Sequence, residues 1–154
     1  DAPTPETTSE VVELLSFQVG EQEYSVDIMS VREIRGWTKA TSLPHAPHYI
    51  RGVINLRGTV LPVMDLALRL GLDAKEPGER SVVIVIDIST KMMGLRVDAV
   101  SDILTLSRSD LQPTPEFASD ESDGFVHALT LIDDRMVRIL DLKAILPPAE
   151  SIAA

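Results

Sequence analysis

Apolar residues recur at every second position along most of this chain, and one such pattern occurs twice. Residues 53–70, VINLRGTVLPVMDLALRL, align without a gap on residues 129–146, LTLIDDRMVRILDLKAIL. Each copy reads apolar strand, two polar turn residues, apolar strand, Asp-Leu and an amphipathic turn. A period of two marks strands with a buried face. A repeated strand–turn–strand–helix unit points to two similar small barrels packed together. Closure into barrels also removes sheet edges that would otherwise recruit other chains. A looser echo links VDIMSVREI, residues 26–34, to VDAVSDI, residues 97–103.

The rest of the chain fits this plan. Leu15, Phe17 and Val19 share one face, and Tyr24, Val26 and Ile28 share another beyond the Gly20-Glu21 turn. VREIRG continues extended. SVVIVIDI, KMMGLRVD and AVSDILTL are three further strands, the first β-branched enough to be buried on both sides. Asp65 and Asp141, each before Leu, are helix N-caps. Residues 107–123 read as a long polar loop. Residues 1–13 hold four acids and no base, the composition of a disordered tail. The expected organisation is a domain over 14–146, its first barrel roughly 14–72 and its second roughly 79–146, with interleaving of the two left open. A short tail follows at 147–154.

Chemistry is hard to find in it. The 154 residues suffice for a hydrophobic core, burying roughly 70% of the unfolded surface. With 14 basic and 24 acidic side chains the net charge is −10, which argues against nucleic acid and anionic membrane surfaces as partners. There is no cysteine, so thiolate catalysis and Cys-ligated metal sites are excluded. His45 and His48 flank Pro47 with no nearby carboxylate to complete a metal site. His127 lies in a strand, and Asp133-Asp134 is turn chemistry. No nucleophile elbow or phosphate-binding loop is present, and no apolar run approaches the ~18 residues of a membrane span. The reading is a non-enzymatic protein without metal or cofactor. What remains is surface. Arg57 sits at a turn tip beside Gly58, its guanidinium fork expected to point away from the barrel. Gly52 permits close approach of another backbone. Val31 and Glu33 share a face of a strand that mixes charge with apolar side chains. Phe117 stands in a polar loop beyond Pro113 and Pro115, folded back onto a barrel or offered as an anchor.

The segments FQVGEQEYSVDIMSVREIRG, YIRGVINLRGTVLPVMDL, VVIVI, GLRVDAVSDIL, PTPEF and DDRMVRILDLKAIL, in this order and spacing, resemble the CheW family of bacterial chemotaxis coupling proteins over residues 14–146. Their N-L-R-G-x-x-x-P-x-x-D-L core is shared with the regulatory domain of the CheA histidine kinase and the coupling domain of CheV proteins. The resemblance implies a mainly β fold of two five-stranded SH3-like barrels around a shared hydrophobic core, with short helices. It implies a cytoplasmic adaptor, recruited to membrane-associated receptor arrays. Such an adaptor couples the helical hairpin tips of chemoreceptors to the regulatory domain of CheA. An excised CheA regulatory domain and a CheV-type coupling domain are the alternatives, and a ligand-binding double barrel is a third. By matching positions, the receptor-binding groove includes Val31, Glu33, Gly52, Arg57, Gly58, Val82 and Val83, and the kinase contact includes Gln112 and Phe117. Two departures stand out. Ala128 replaces a common glycine, and Gln112 falls where some relatives carry a base.

Overall fold

The computed structural model describes residues 11–73, 76–113 and 124–147. Phe117 and most of the two expected tails lie outside them. Eleven strands are described: β1 (Val11–Val19), β2 (Gln22–Asp27), β3 (Val31–Gly36), β4 (Ile50–Leu56), β5 (Thr59–Asp65), β6 (Val82–Ile88), β7 (Lys91–Val97), β8 (Ala99–Ser107), β9 (Gln112–Pro113), β10 (Val126–Ile132) and β11 (Arg135–Leu140). They form two sheets, ordered β8-β1-β2-β11-β10-β9 and β3-β6-β7-β5-β4. Apart from the two-residue β9, the orders correspond strand for strand. These are the two SH3-like barrels.

The halves exchange strands. The first hairpin, β1–β2, leaves its own half and pairs with β8 and β11, while β3 and β5 pair with the second half's hairpin β6–β7 and β4 pairs with β5. The division at 72/79 therefore does not separate the barrels. The exchange is sealed by two parallel pairings, Val137↔Glu23 to Ile139↔Ser25 and Val63↔Gly94 to Asp65↔Arg96. Parallel neighbours need a crossover connection: from β2 to β11 the chain passes through the other barrel, and from β5 to β7 it passes through the helical turn at Leu66–Arg69 and β6. Strand β1 also begins earlier than expected. Val11, Val12 and Glu13 pair with Ser107, Leu106 and Thr105, so these three residues belong to the sheet and not to the tail. The expected loop at 107 opens instead with a 3-10 turn over Arg108–Asp110. Ser107 and Asp110 cap it reciprocally, and β9 follows.

Three apolar clusters follow from this topology. Leu14, Leu104, Val137 and Ile139 fill one barrel. Leu61, Val63, Val83 and Val85 fill the other. Between them lies the largest, built from Leu15, Phe17, Tyr24, Met64, Ile84, Ile86, Leu95, Leu142 and Ile145. β6 sends Val83 and Val85 into its barrel and Ile84 and Ile86 into the shared core, which is why its sequence is continuously apolar.

The repeat extends to single backbone hydrogen bonds. Asp65 N–H donates to Tyr49 O at 2.7 Å, and Asp141 N–H donates to Phe125 O at 2.8 Å. Asp65 caps the helical turn Leu66–Arg69, and Asp141 caps Leu142–Ile145. Arg69 clasps the halves together. Its guanidinium lies 4.5 Å from the Tyr49 ring centroid and 4.8 Å from that of Phe125. It also donates to the carbonyls of Ala144, Ile145 and Leu146.

Candidate functional site

The turn between β4 and β5 places Arg57 at φ 52° and Gly58 at φ 88°. Positive φ at both central residues matches the twist of the flanking strands. The Gly58 N–H donates to Asn55 Oδ1 at 2.8 Å. Arg57 does not extend its fork freely, as the sequence suggested, but folds it onto Glu33 of β3. Nη2 lies 2.6 Å from Glu33 Oε1, and Nη1 3.5 Å from Oε2. Arg35 adds a third bond to Oε2 at 3.2 Å. Because β3 and β4 are opposite ends of their sheet, this cluster ties the two ends of the barrel together. Hydrogen bonds from Arg57 and then Arg35 hold the Glu33 carboxyl below the usual carboxylate range, against a smaller opposing effect of burial. The pKa of the Arg57 guanidinium is correspondingly raised, chiefly by the hydrogen bond it donates to Glu33.

A bulge between Val31 and Glu33 sets which side chains β3 presents. Val31 stands opposite Ile86 and packs partly on the shared core. Glu33 stands opposite Val85, and the bulged Arg32 turns outward to Asp87 at 3.1 Å. Val82 pairs with Gly36 at the other end of β3 and is half-buried. The segments joined by the Arg57–Glu33 pair also carry Ile34 and Val60, 45% and 63% exposed.

Two expected site residues are withdrawn from this surface. Val83 is 1% exposed, inside the barrel. The strand alternates, so its neighbour Val82 faces the other way. Gly52 is buried against the backbone of Thr41, which bridges to Val53 through two hydrogen bonds of 2.8 and 2.9 Å. That is the close backbone approach its sequence context suggested, but the approaching backbone is the chain's own.

The reading of Asp65 as a cap missed half of its role. Oδ1 accepts from the Ala67 and Leu68 N–H groups. Oδ2 accepts from Arg51 Nη2 at 2.7 Å and Nε at 2.9 Å, and lies 3.4 Å from Arg96 Nη1. Asp65 and Arg96 are almost wholly buried. Register in the parallel pair β5–β7 sets Asp65 beside Arg96, and no local pattern could have announced it.

On the other barrel, Gln112 is exposed in β9 opposite Leu129 of β10. The β10–β11 hairpin presents Leu131 and Met136 directly opposite each other, both exposed, beside the Asp133-Asp134 turn. The other expected contact residue of this region, Phe117, lies outside the described residues. Among the described residues, no group of His, Asp and Glu is placed to hold a metal ion, and no helix is long and apolar enough to cross a membrane.

Two interlocked barrels whose edges present mixed charged and apolar side chains define a scaffold for protein assembly. Comparison with known proteins agrees. The model of the CheW-like domain matches residues 13–150. The chain is 53% identical over 142 residues to the chemotaxis protein CheW of Rhizobium meliloti (strain 1021), covering 92% of each. It is 33% identical to that of Bacillus subtilis (strain 168), covering 92% of this chain and 90% of the relative. The crystal structure of the scaffolding protein TtCheW from Thermoanaerobacter tengcongensis superposes with a TM-score of 0.82 at 30% identity, covering 90% of this chain and 94% of that one. The chain belongs to the CheW family, a non-enzymatic coupling scaffold of chemotaxis. A match to the chemotaxis protein CheV3 of Helicobacter pylori is weaker, 29% over 147 residues and 47% of that protein. The kinase-domain and CheV-type readings are not favoured.

Proposed function

We propose that this protein couples the cytoplasmic tips of chemoreceptors to the regulatory domain of the CheA histidine kinase, acting in the cytoplasm at membrane-associated receptor arrays. The observation that carries the receptor side is the Glu33–Arg57 pair. It joins the two ends of one barrel into a rigid charged edge flanked by exposed Ile34 and Val60. A helical hairpin presents apolar anchors at i, i+3 and i+4 between polar residues, and an edge of this composition suits it. Val31, Glu33, Arg57, Gly58 and Val82 form the contact surface, and Gly52 and Val83 hold its shape from behind. On the kinase side, Gln112, which pairs with β10, and Phe117 make the contact. Contacts of this kind gain strength from repetition across an array.

The test is receptor-dependent kinase stimulation with purified components, beside a thermal melt of each variant. Arg57→Lys keeps charge but loses the fork, and retains part of the stimulation. Arg57→Glu sets two carboxylates face to face and abolishes it while the protein stays folded. Full stimulation by folded Arg57→Glu removes this edge from the site.

A further inference from the structure

The two halves share one framework at the mouth of each barrel but fill it differently. In the β3–β7 barrel, a bulge between Ile50 and Gly52 turns Arg51 onto Asp65, and Arg96 meets the same carboxylate from β7. The other barrel repeats the bulge between Val126 and Ala128, so His127 stands where Arg51 does. Asp141 stands where Asp65 does, with the same cap bond from two residues on, to Lys143 N–H at 3.1 Å. The parallel register Ile139↔Ser25, carried two residues further, sets Asp27 where Arg96 stands. Both guanidinium groups are thus missing from the second framework. In their place is an open cavity of about 400 Å³, lined by Asp27, Ser30, His127, Asp141 and the apolar Leu140 and Leu142.

We propose that this cavity is a socket for an arginine side chain of a partner protein. The sister framework displays the chemistry, a guanidinium seated on the aspartate that caps the helical turn. Asp27 and Asp141 each spend one oxygen on a backbone N–H, Met29 for the first and Lys143 for the second. Their other oxygens make no bond within the described residues. A planar guanidinium can bridge two carboxylates where a lysine ammonium acts as a single point. The leucine walls suit its aliphatic stem. Lys143 also lines the cavity but pairs with neither aspartate. The chain's own undescribed segments, 1–10, 74–75, 114–123 and 148–154, hold no arginine and a single lysine, Lys75. None of these segments supplies the arginine, and we assign it to a partner protein.

The first arm of the test is an amide-NMR titration of the whole chain with N-acetyl-arginine amide, using the neutral isostere N-acetyl-citrulline amide as control. The arginine probe shifts signals around Asp27, Ser30 and Asp141–Lys143, with an affinity on the order of 1 mM, and the citrulline probe does not. Asp27→Asn, which retains a competent cap, and His127→Arg, which supplies the guanidinium that Arg51 gives the sister framework, each weaken the probe at least about tenfold. Equal shifts from citrulline, shifts elsewhere, or undiminished binding by both variants overturn the socket. Free arginine binding far more tightly than its amide assigns the cavity to a metabolite and overturns the protein partner. The second arm rests on the proposed coupling role. In reconstituted receptor–kinase assemblies both variants incorporate less than wild type, and unchanged incorporation of both overturns a partner arginine. Wild-type incorporation in the same assay reports on the coupling role separately.

Discussion

Gly52→Ala separates a residue that touches a partner from one that shapes the barrel. Gly52 has φ 145°, a region that side-chain-bearing residues rarely adopt, and an added Cβ would lie 2.1 Å from the Thr41 carbonyl oxygen. That oxygen cannot simply move, because it accepts from Val53 N–H at 2.8 Å while Thr41 N–H donates to Val53 O at 2.9 Å. Backbone strain at such a position costs about 1–3 kcal/mol. Loss of the two bridging bonds costs about 1 kcal/mol each. The expected loss is therefore about 3–5 kcal/mol, or roughly 10 °C in Tm for a domain of this size. Gly58→Ala is the matched control. It also sits at positive φ, 88°, but its added Cβ meets nothing within 4 Å, so it costs only about 1–2 kcal/mol. Urea denaturation of both variants, fitted with a common slope, measures the difference. A Gly52→Ala protein within about 0.5 kcal/mol of wild type, or no worse than Gly58→Ala, would refute the packing account. It would return Gly52 to the binding surface. If the account holds, any coupling defect of a Gly52 variant reports a damaged barrel before it reports a lost contact.

Asp65→Asn should cost about 3–5 kcal/mol because it leaves the buried Arg96 with only Asp98, 3.9 Å away, as counter-charge. Asp141→Asn, at the equivalent open position, should fall within about 0.5 kcal/mol of wild type since Asn caps as well as Asp. Equal costs in denaturant melts would refute the distinction. Arg69→Met keeps much of the stem but leaves the Ala144–Leu146 carbonyls without their donor, and should destabilise by about 2 kcal/mol by calorimetry. Glu33 has its folded pKa depressed by Arg57 and Arg35, so the stabilisation from this cluster is present above the ordinary glutamate value of about 4.3 and is lost as pH falls through the lower folded value. Carboxyl NMR titration should show Glu33 protonating below the ordinary range, and Arg57→Ala should move that midpoint upward. An unmoved midpoint would dissociate the pair in solution.

Much of the fold was legible because it is written in local terms. Strands show in the period of two. The turns at Arg57-Gly58 and Asp133-Asp134 show because each holds two residues at positive φ between apolar runs. Both helical turns show through their capping aspartates, and the gapless repeat over 53–70 and 129–146 announces two like units. The family resemblance rests on the same short-range motifs. None of these signals carries the identity of a strand's neighbour. That β1–β2 joins the second half, that Val83 faces inward while Val82 does not, and that Val11–Glu13 leave the tail for the sheet were set by tertiary pairing. So were the charges: Arg57 meets Glu33 from 24 residues away, and Arg96 meets Asp65 from 31. Periodicity and propensity act over a few residues, where backbone sterics and solvent exposure are already decided. Register, barrel closure and ion pairing come from burying apolar faces against whichever distant strand completes them, and that choice exists only once the whole chain is packed.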